Sequence, residues 1–341
     1  MFYQPAEWQP HQACWLAFPY DRGLWQEHLE AVQAEFMALV SVLARSEQVF
    51  ILVPDVNTQD YCKHLLQEQL GCEYAVHLPI VPYGDIWMRD IGPIFVCDRV
   101  TGALEGRTFA WNGWGGKYLL AGDDRVAQRV VELAQVPHRS FPFVLEGGAV
   151  EVNGQGICLT TRQCLLNPNR NPHLSPSAIE EALKEALGVH HILWIEQGLR
   201  NDHTDGHIDT IARFIAPHTV MCMVPDTDRD VNFPVLQQIY DQLTHLRTAD
   251  GTPLQVVTIP SPDRVVDAQG EIMPASYLNF YISNAHVIVP IYGVANDDRA
   301  VSAIARHVRT YLPDRQVVGL PAQHILLGGG AFHCITQQLP R

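Results

Sequence analysis

Short apolar runs recur along this chain with amphipathic helical stretches between them, and that alternation limits the fold more than any other feature. The runs that read as strands are Val49–Val53, Ile94–Cys97, Gly156–Thr160, Ile192–Ile195, Val220–Val224, Gln255–Ile259 and Val287–Ile291. Several meet a proline at Pro54, Pro225, Pro260 or Pro290, and Leu320-Pro321 repeats the pattern; proline donates no ladder hydrogen bond and so tends to end strands. Helical spacing appears over Leu24–Arg45, Asn57–Leu70, Asp124–Gln135, Asn232–Leu246 and Asp297–Tyr311. Another helix is expected from Pro176, with Ser175 as its cap and Gly188 after its end. Asn or Thr is the expected cap of the Asn57–Leu70 helix.

These units repeat at intervals of roughly 60 residues, a spacing expected of modular architectures. The 341 residues contain no Pro/Ser-rich linker or abrupt change of composition, so a single α/β domain over 1–341 is expected rather than two linked ones. The plainer alternative is a doubly wound sheet. No G-x-G-x-x-G follows the first strand and no P-loop is present, which leaves nucleotide binding without a motif.

The formal charge is −14, from 23 basic and 37 acidic residues. Such a surface repels nucleic acid and concentrates cations, although solubility alone also explains it. Eight cysteines, Cys14, Cys62, Cys72, Cys97, Cys158, Cys164, Cys222 and Cys334, form no C-x-x-C pair. The first residues lack the basic and apolar regions of a secretory signal, and no apolar run reaches the ~18 residues of a membrane span. A cytoplasmic protein without structural disulfides or membrane association is expected.

Six segments carry candidate chemistry. Cys334 follows Gly328-Gly329-Gly330, where a bare backbone lets a ligand approach the sulfur; the bland reading is a structural cysteine. His207 and Asp209 are two apart, which in a strand places both on one face. A histidine there transfers protons near neutral pH, or it is simply a satisfied core residue. His203 and His207 are also at metal-ligand spacing, but no HExxH glutamate separates them. Asp90 in Trp87-Met88-Arg89-Asp90 suits a guanidinium edge, with Trp87 over the planar cation, or else forms a turn with Arg89 before Ile94–Cys97. Glu146, ahead of Gly147-Gly148, either orients an imidazole or caps a loop. Asn112-Gly113-Trp114-Gly115-Gly116-Lys117 reads as a mobile lid or a surface turn.

Taken together in order, Trp87-Met88-Arg89-Asp90-x-Gly92-Pro93, Asn112-x-Trp114-Gly115-Gly116, Glu146-Gly147-Gly148, Asn167-x-Asn169-Arg170-Asn171-Pro172, Gly206-His207-x-Asp209 and Gly328-Gly329-Gly330 with His333-Cys334-Ile335-Thr336-Gln337-Gln338 resemble the agmatine deiminase branch of the guanidine-modifying, or pentein, superfamily. The resemblance spans nearly the whole chain. It implies a five-bladed, pseudo-symmetric α/β propeller. It also implies Cys334 as nucleophile, His207 as acid and base, Asp90 and Asp209 on the guanidinium, and Glu146 behind His207. Trp87 and Trp114 are expected to shield the substrate chain. One departure stands out: many relatives carry Glu-Thr-Asn-Gly where this chain has His203-Thr204-Asp205-Gly206.

The expected reaction is hydrolysis of agmatine to N-carbamoylputrescine and ammonia, a step toward putrescine, with no metal or organic cofactor. The acidic stretch holding Asp202, Asp205 and Asp209 favours a substrate with a distal amine. Rival readings are a deiminase of free or peptidyl arginine, a non-catalytic binding propeller and a metal hydrolase. A homodimer is left open.

Overall fold

The structure is a computed structural model that describes residues 1–71, 75–228 and 230–341; Cys72 lies outside the described residues. The strands form five sheets, all built by one rule. An innermost strand pairs antiparallel with a central strand, and the central strand pairs parallel with an outer one. A parallel neighbour cannot be reached by a tight turn, so each such pair needs a long crossover. Here every crossover contains a helix: Leu29–Leu43, Asp123–Ala134, Pro176–Leu187, Phe233–His245 and Asp297–Tyr311. The recurrent units of the sequence are therefore blades, and the fold is a five-bladed α/β propeller.

The ring closes through the chain ends. The C-terminal strand Gln337–Pro340 is the innermost strand of the first blade, where Gln337 lies opposite Trp15 and Gln338 opposite Cys14 of the central strand His11–Ala17. Burial falls from the axis outward. Innermost Val150–Val152 and Tyr281–Ile282 are wholly buried, whereas outer Gln316–Pro321 is partly exposed throughout. Central strands such as Thr219–Val224 are buried on both faces and read as continuous apolar runs, which is why they are visible in the sequence. Strands Leu104–Ala110 and Gln337–Pro340 carry glutamate, arginine or glutamine and escape that pattern.

Some expected boundaries move. Leu24–Arg45 is not one helix: a turn at Arg22–Trp25 is followed by Gln26 at φ +48°, and the long helix begins at Leu29. The break turns Trp25 inward, where its indole N–H donates to Asp85 at 3.2 Å. The Val56–Leu70 helix is capped by Asp55, whose carboxylate accepts from the Thr58 N–H at 2.8 Å, rather than by Asn or Thr. Strand His286–Ile291 runs through Pro290; its antiparallel neighbour ends opposite Ile288, which leaves one side of the strand unpaired at the proline. Ser175 and Gly188 cap their helix as expected.

Candidate active site

Each blade enters its innermost strand through a short connection, and these connections converge. Asp90 lies ahead of Ile94–Asp98, Glu146 and Gly148 ahead of Val150–Val152, Asp209 ahead of Ala212–Ala216, Asn279 ahead of Tyr281–Ile282, and Cys334 ahead of Gln337–Pro340. Cys334 Sγ lies 3.6 Å from Asp209 Oδ2, and His207 Nδ1 lies 3.8 Å from Asp90 Oδ2. The backbone approaches closely at Gly148: a Cβ there would stand 2.5 Å from His207 Nδ1, 3.0 Å from Asp90 Oδ1 and 3.1 Å from Asp209 Oδ2. At Gly330 a Cβ would stand 2.9 Å from Cys334 Sγ. Glycine at both places is a steric demand of the site.

His207 and Asp209 do not lie on a strand, contrary to expectation. The chain turns at Asp205 and Gly206, both at positive φ, and Asp209 sits in the short 3-10 turn Ile208–Thr210 before the strand begins at Ala212. Both side chains are nevertheless fully buried. Asp90 turns away from Arg89. Its oxygens accept from the Gly148 N–H at 2.9 Å and the Trp114 indole N–H at 2.8 Å. The Asn112–Lys117 segment is thus a wall of the site, pinned by that indole and by Asn112 on the Asn169 carbonyl, and not a free flap. Trp87 lies across Gly328 and Gly330 and donates to Asp85 at 2.7 Å.

The electrostatics follow from burial among carboxylates. Burial, followed by the charges of Asp209 and Asp90, pushes the Cys334 thiol well above its ordinary range. Burial opposes the charge on His207, yet Asp90, Cys164 and Glu146 outweigh it and raise the imidazole well above its usual value. Burial raises Asp90, with Asp209 adding to the effect and His207 opposing it. Burial would raise Asp209 as well, but the hydrogen bond and charge of His333, with His207 and Arg213 behind, hold it low. Both directions favour the protonated form, of the Cys334 thiol and of the His207 imidazole.

Several residues of the site had no signal of their own in the sequence. His333 bridges Asp209 Oδ2 at 2.7 Å and Glu7 Oε2 at 2.8 Å. Arg170, buried, places Nε 2.6 Å from Glu146 Oε1 and reaches Asp205 and the Thr204 carbonyl, tying the Asn167–Pro172 motif to the loop before His207. Asn279 contacts the Cys334 sulfur at 3.0 Å. Only His333, next to the cysteine, and Arg170, within a recognised motif, could have been suspected.

Among the described residues, Glu146, Cys164 and His207 form the single cluster with ligand atoms within metal-binding reach of one another, 4.8 Å or less. Glu146 is already engaged by the Arg170 guanidinium, which would stand against a metal cation there. His203 is not part of this cluster; it packs beside Tyr118 at the mouth of the site.

A cleft of about 620 Å³ leads from solvent to Cys334, past Trp25, Trp87, Trp114 and Tyr118. Glu27, Asp85, Asp90 and Asp267 also line it, and no lysine or arginine does among the described residues. Asp202, Asp205 and Asp209 are all absent from its described wall, as is His207, and the stretch meets the cleft at His203 and Thr204 instead, contrary to the expectation for its carboxylates; Asp205 is held by Lys117 and Arg170, and Asp202 by Thr204.

Comparison with known proteins places the chain in a family. The family model described as Porphyromonas-type peptidyl-arginine deiminase matches residues 3–340. A Pectobacterium atrosepticum protein named "Putative agmatine deiminase" is 35% identical over 362 residues, covering 99% of this chain and 95% of its own. Among solved structures, an Enterococcus faecalis agmatine deiminase catalysing its reaction matches with TM-score 0.91 and 32% identity, over 100% of this chain and 96% of that one. A C. jejuni agmatine deiminase variant with substrate bound matches with TM-score 0.88 and 28% identity, over 100% and 97%. With a family match along almost its whole length and a relative of this identity, the chain belongs to the Porphyromonas-type peptidyl-arginine deiminase family.

Proposed function

We propose that this chain hydrolyses agmatine to N-carbamoylputrescine and ammonia through a covalent intermediate on Cys334. The observation that carries the reading is the pairing of Cys334 with Asp209 and of Asp90 with His207, where Cys334 and Asp90 line a cleft without lysine or arginine among its described lining residues. The names of the relatives favour the same substrate.

Burial and the charges of Asp209 and Asp90 hold the thiol protonated; a guanidinium between the two carboxylates offsets their charges, so substrate binding favours the thiolate, the thiol proton passing to solvent water. Asp209 Oδ1 has no partner among the described residues and remains free to accept a substrate N–H. The sulfur lone pair attacks the guanidinium carbon, and the imidazolium of His207 protonates the departing ammonia. This leaves an S-alkylthiouronium. His207, now neutral, takes a proton from water as its oxygen bonds to that carbon; the C–S bond then breaks and returns its electron pair to sulfur, and the remaining hydroxyl proton passes to that sulfur, which leaves the ureido carbonyl and restores the thiol. Arg170 on Glu146 and His333 on Asp209 act as positioning groups throughout.

Agmatine is favoured over arginine because a carboxylate entering the cleft would meet Glu27, Asp85 and Asp267 with no lysine or arginine among the described lining residues, only His28, His203 and His324, and an unpaired charge taken from water is costly. Side-by-side kinetics on agmatine, arginine and a peptidyl arginine provide the test. Agmatine should lead in kcat/KM by at least about a hundredfold, or ~2.7 kcal/mol. Equal or better turnover of either arginine substrate would transfer the activity to that substrate.

A further inference from the structure

The five-fold plan points to a residue the reaction scheme above leaves out. Four blades each deliver an assigned group just ahead of the innermost strand: Asp90, Glu146, Asp209 and Cys334. In the remaining blade the corresponding position is Asn279, two residues before Tyr281 and only 2% exposed. Its Oδ1 accepts from the backbone N–H of Ala331 at 3.0 Å and of Cys334 at 3.2 Å. Its backbone carbonyl accepts from the His333 N–H at 3.0 Å. Two N–H donors aimed at one side-chain atom identify it as the amide oxygen, so the amide nitrogen is the atom facing sulfur at 3.0 Å.

Building on the reading of Cys334 as nucleophile, we infer that Asn279 is a further residue of the reaction, whose oxygen fixes the turn presenting the thiol and whose N–H donates to the sulfur. Among the described residues it is the only side chain that donates to that sulfur. Asp90 and Asp209 favour the protonated thiol, and the amide works against them. A hydrogen bond onto an anion is stronger than one onto a neutral acceptor, so the contact tightens as the thiol gives up its proton. It weakens when the sulfur lone pair enters the bond to carbon. It tightens again when hydrolysis breaks that bond and returns the pair to sulfur, so one donor serves both halves of the cycle.

Asn279→Asp retains the size and the acceptor but loses the donor; Asn279→Ala loses both without adding charge. The readout is the pH dependence of iodoacetamide alkylation, followed by mass on the Cys334 peptide without substrate, with circular dichroism as the control for folding. In each folded variant the alkylation midpoint should rise by at least about one pH unit, tenfold in the ionisation constant. On agmatine, kcat should fall at least about tenfold. A wild-type alkylation profile in either folded variant overturns the inference and leaves the deiminase reading intact. Normal turnover by Cys334→Ala overturns the nucleophile reading itself, a separate result.

Discussion

Two buried polar regions meet at Asp209, and they differ in one respect. Toward the propeller axis, Arg213 donates to Glu7, Glu151 and the carbonyls of Leu278 and Phe280. Both oxygens of Glu7 are engaged, one by Arg213 and the Ile282 N–H, the other by Arg89 and His333. Both oxygens of Glu151 are engaged as well. Around Asp90, which lines the cleft, four equally buried atoms have no hydrogen-bond partner among the described residues: both ring nitrogens of His207, Glu146 Oε2 and Asp209 Oδ1. Buried polar groups are normally satisfied, so a cluster of four such atoms calls for an explanation. The satisfied region holds innermost strands together. The unsatisfied one is poised for something that arrives from the cleft. Asp209 belongs to both, with Oδ2 held by His333 and Oδ1 free.

The contrast predicts that activity and stability separate between the regions. The largest effect should be on turnover: Cys334→Ala should lower kcat at least about 10⁴-fold. Its unfolding free energy should change by less than about 2 kcal/mol, measured by denaturant titration. Residual turnover near wild type would remove the distinction.

Next in size is Arg213→Met, which leaves Glu7 and Glu151 buried without their guanidinium. Breaking a buried pair from one side costs about 3–5 kcal/mol, and the same titration reads it. An unfolding midpoint equal to wild type would show that the axial web is not a structural tie.

Asp90→Asn is smaller, and its effect falls on the other side of the divide. It preserves shape and removes charge, and a charge-assisted hydrogen bond is worth about 1.5–3 kcal/mol. Steady-state kinetics should show a ten- to hundredfold loss in kcat/KM, and a near-native value would rule out direct contact with the guanidinium.

The smallest expected effect is none. Dialysis against a strong chelator should leave turnover unchanged, since Arg170 occupies Glu146. A loss that a divalent ion reverses would reassign Glu146, Cys164 and His207 to metal binding.

What could be read from the residue order was of two kinds. Continuous apolar runs revealed three of the five central strands, Ile157–Thr161, Thr219–Val224 and His286–Ile291, because burial on both faces leaves room for little else, whereas His11–Ala17 and Leu104–Ala110 went unread. Local constellations, joined by the family resemblance, singled out Cys334, His207, Asp209, Asp90, Glu146 and the two tryptophans as candidates, because reactive or unusual residue types stand beside glycines at fixed spacing. Polar innermost strands remained hidden. Gln337 and Gln338 read as part of the Cys334 motif, not as a strand; in the structure they form the innermost strand of the first blade, and Arg89 donates to both.

Roles that depend on a distant partner belonged to the tertiary structure alone. Asn279 lies in Tyr277-Leu278-Asn279-Phe280-Tyr281, an ordinary aromatic stretch, and is 55 positions from the sulfur it touches. Glu7 and His333 stand 326 positions apart. Asp205 and Asp209 share an acidic stretch, yet one is neutralised by Lys117 and Arg170 while the other faces the thiol. Residue types and local spacing are properties of the chain, so the sequence alone sufficed for the repeating module and for naming candidate reactive groups. Which carboxylate stays free, and which amide reaches the thiol, depends on desolvation and on distances of about three ångströms. Those come into being only when five blades close around one axis.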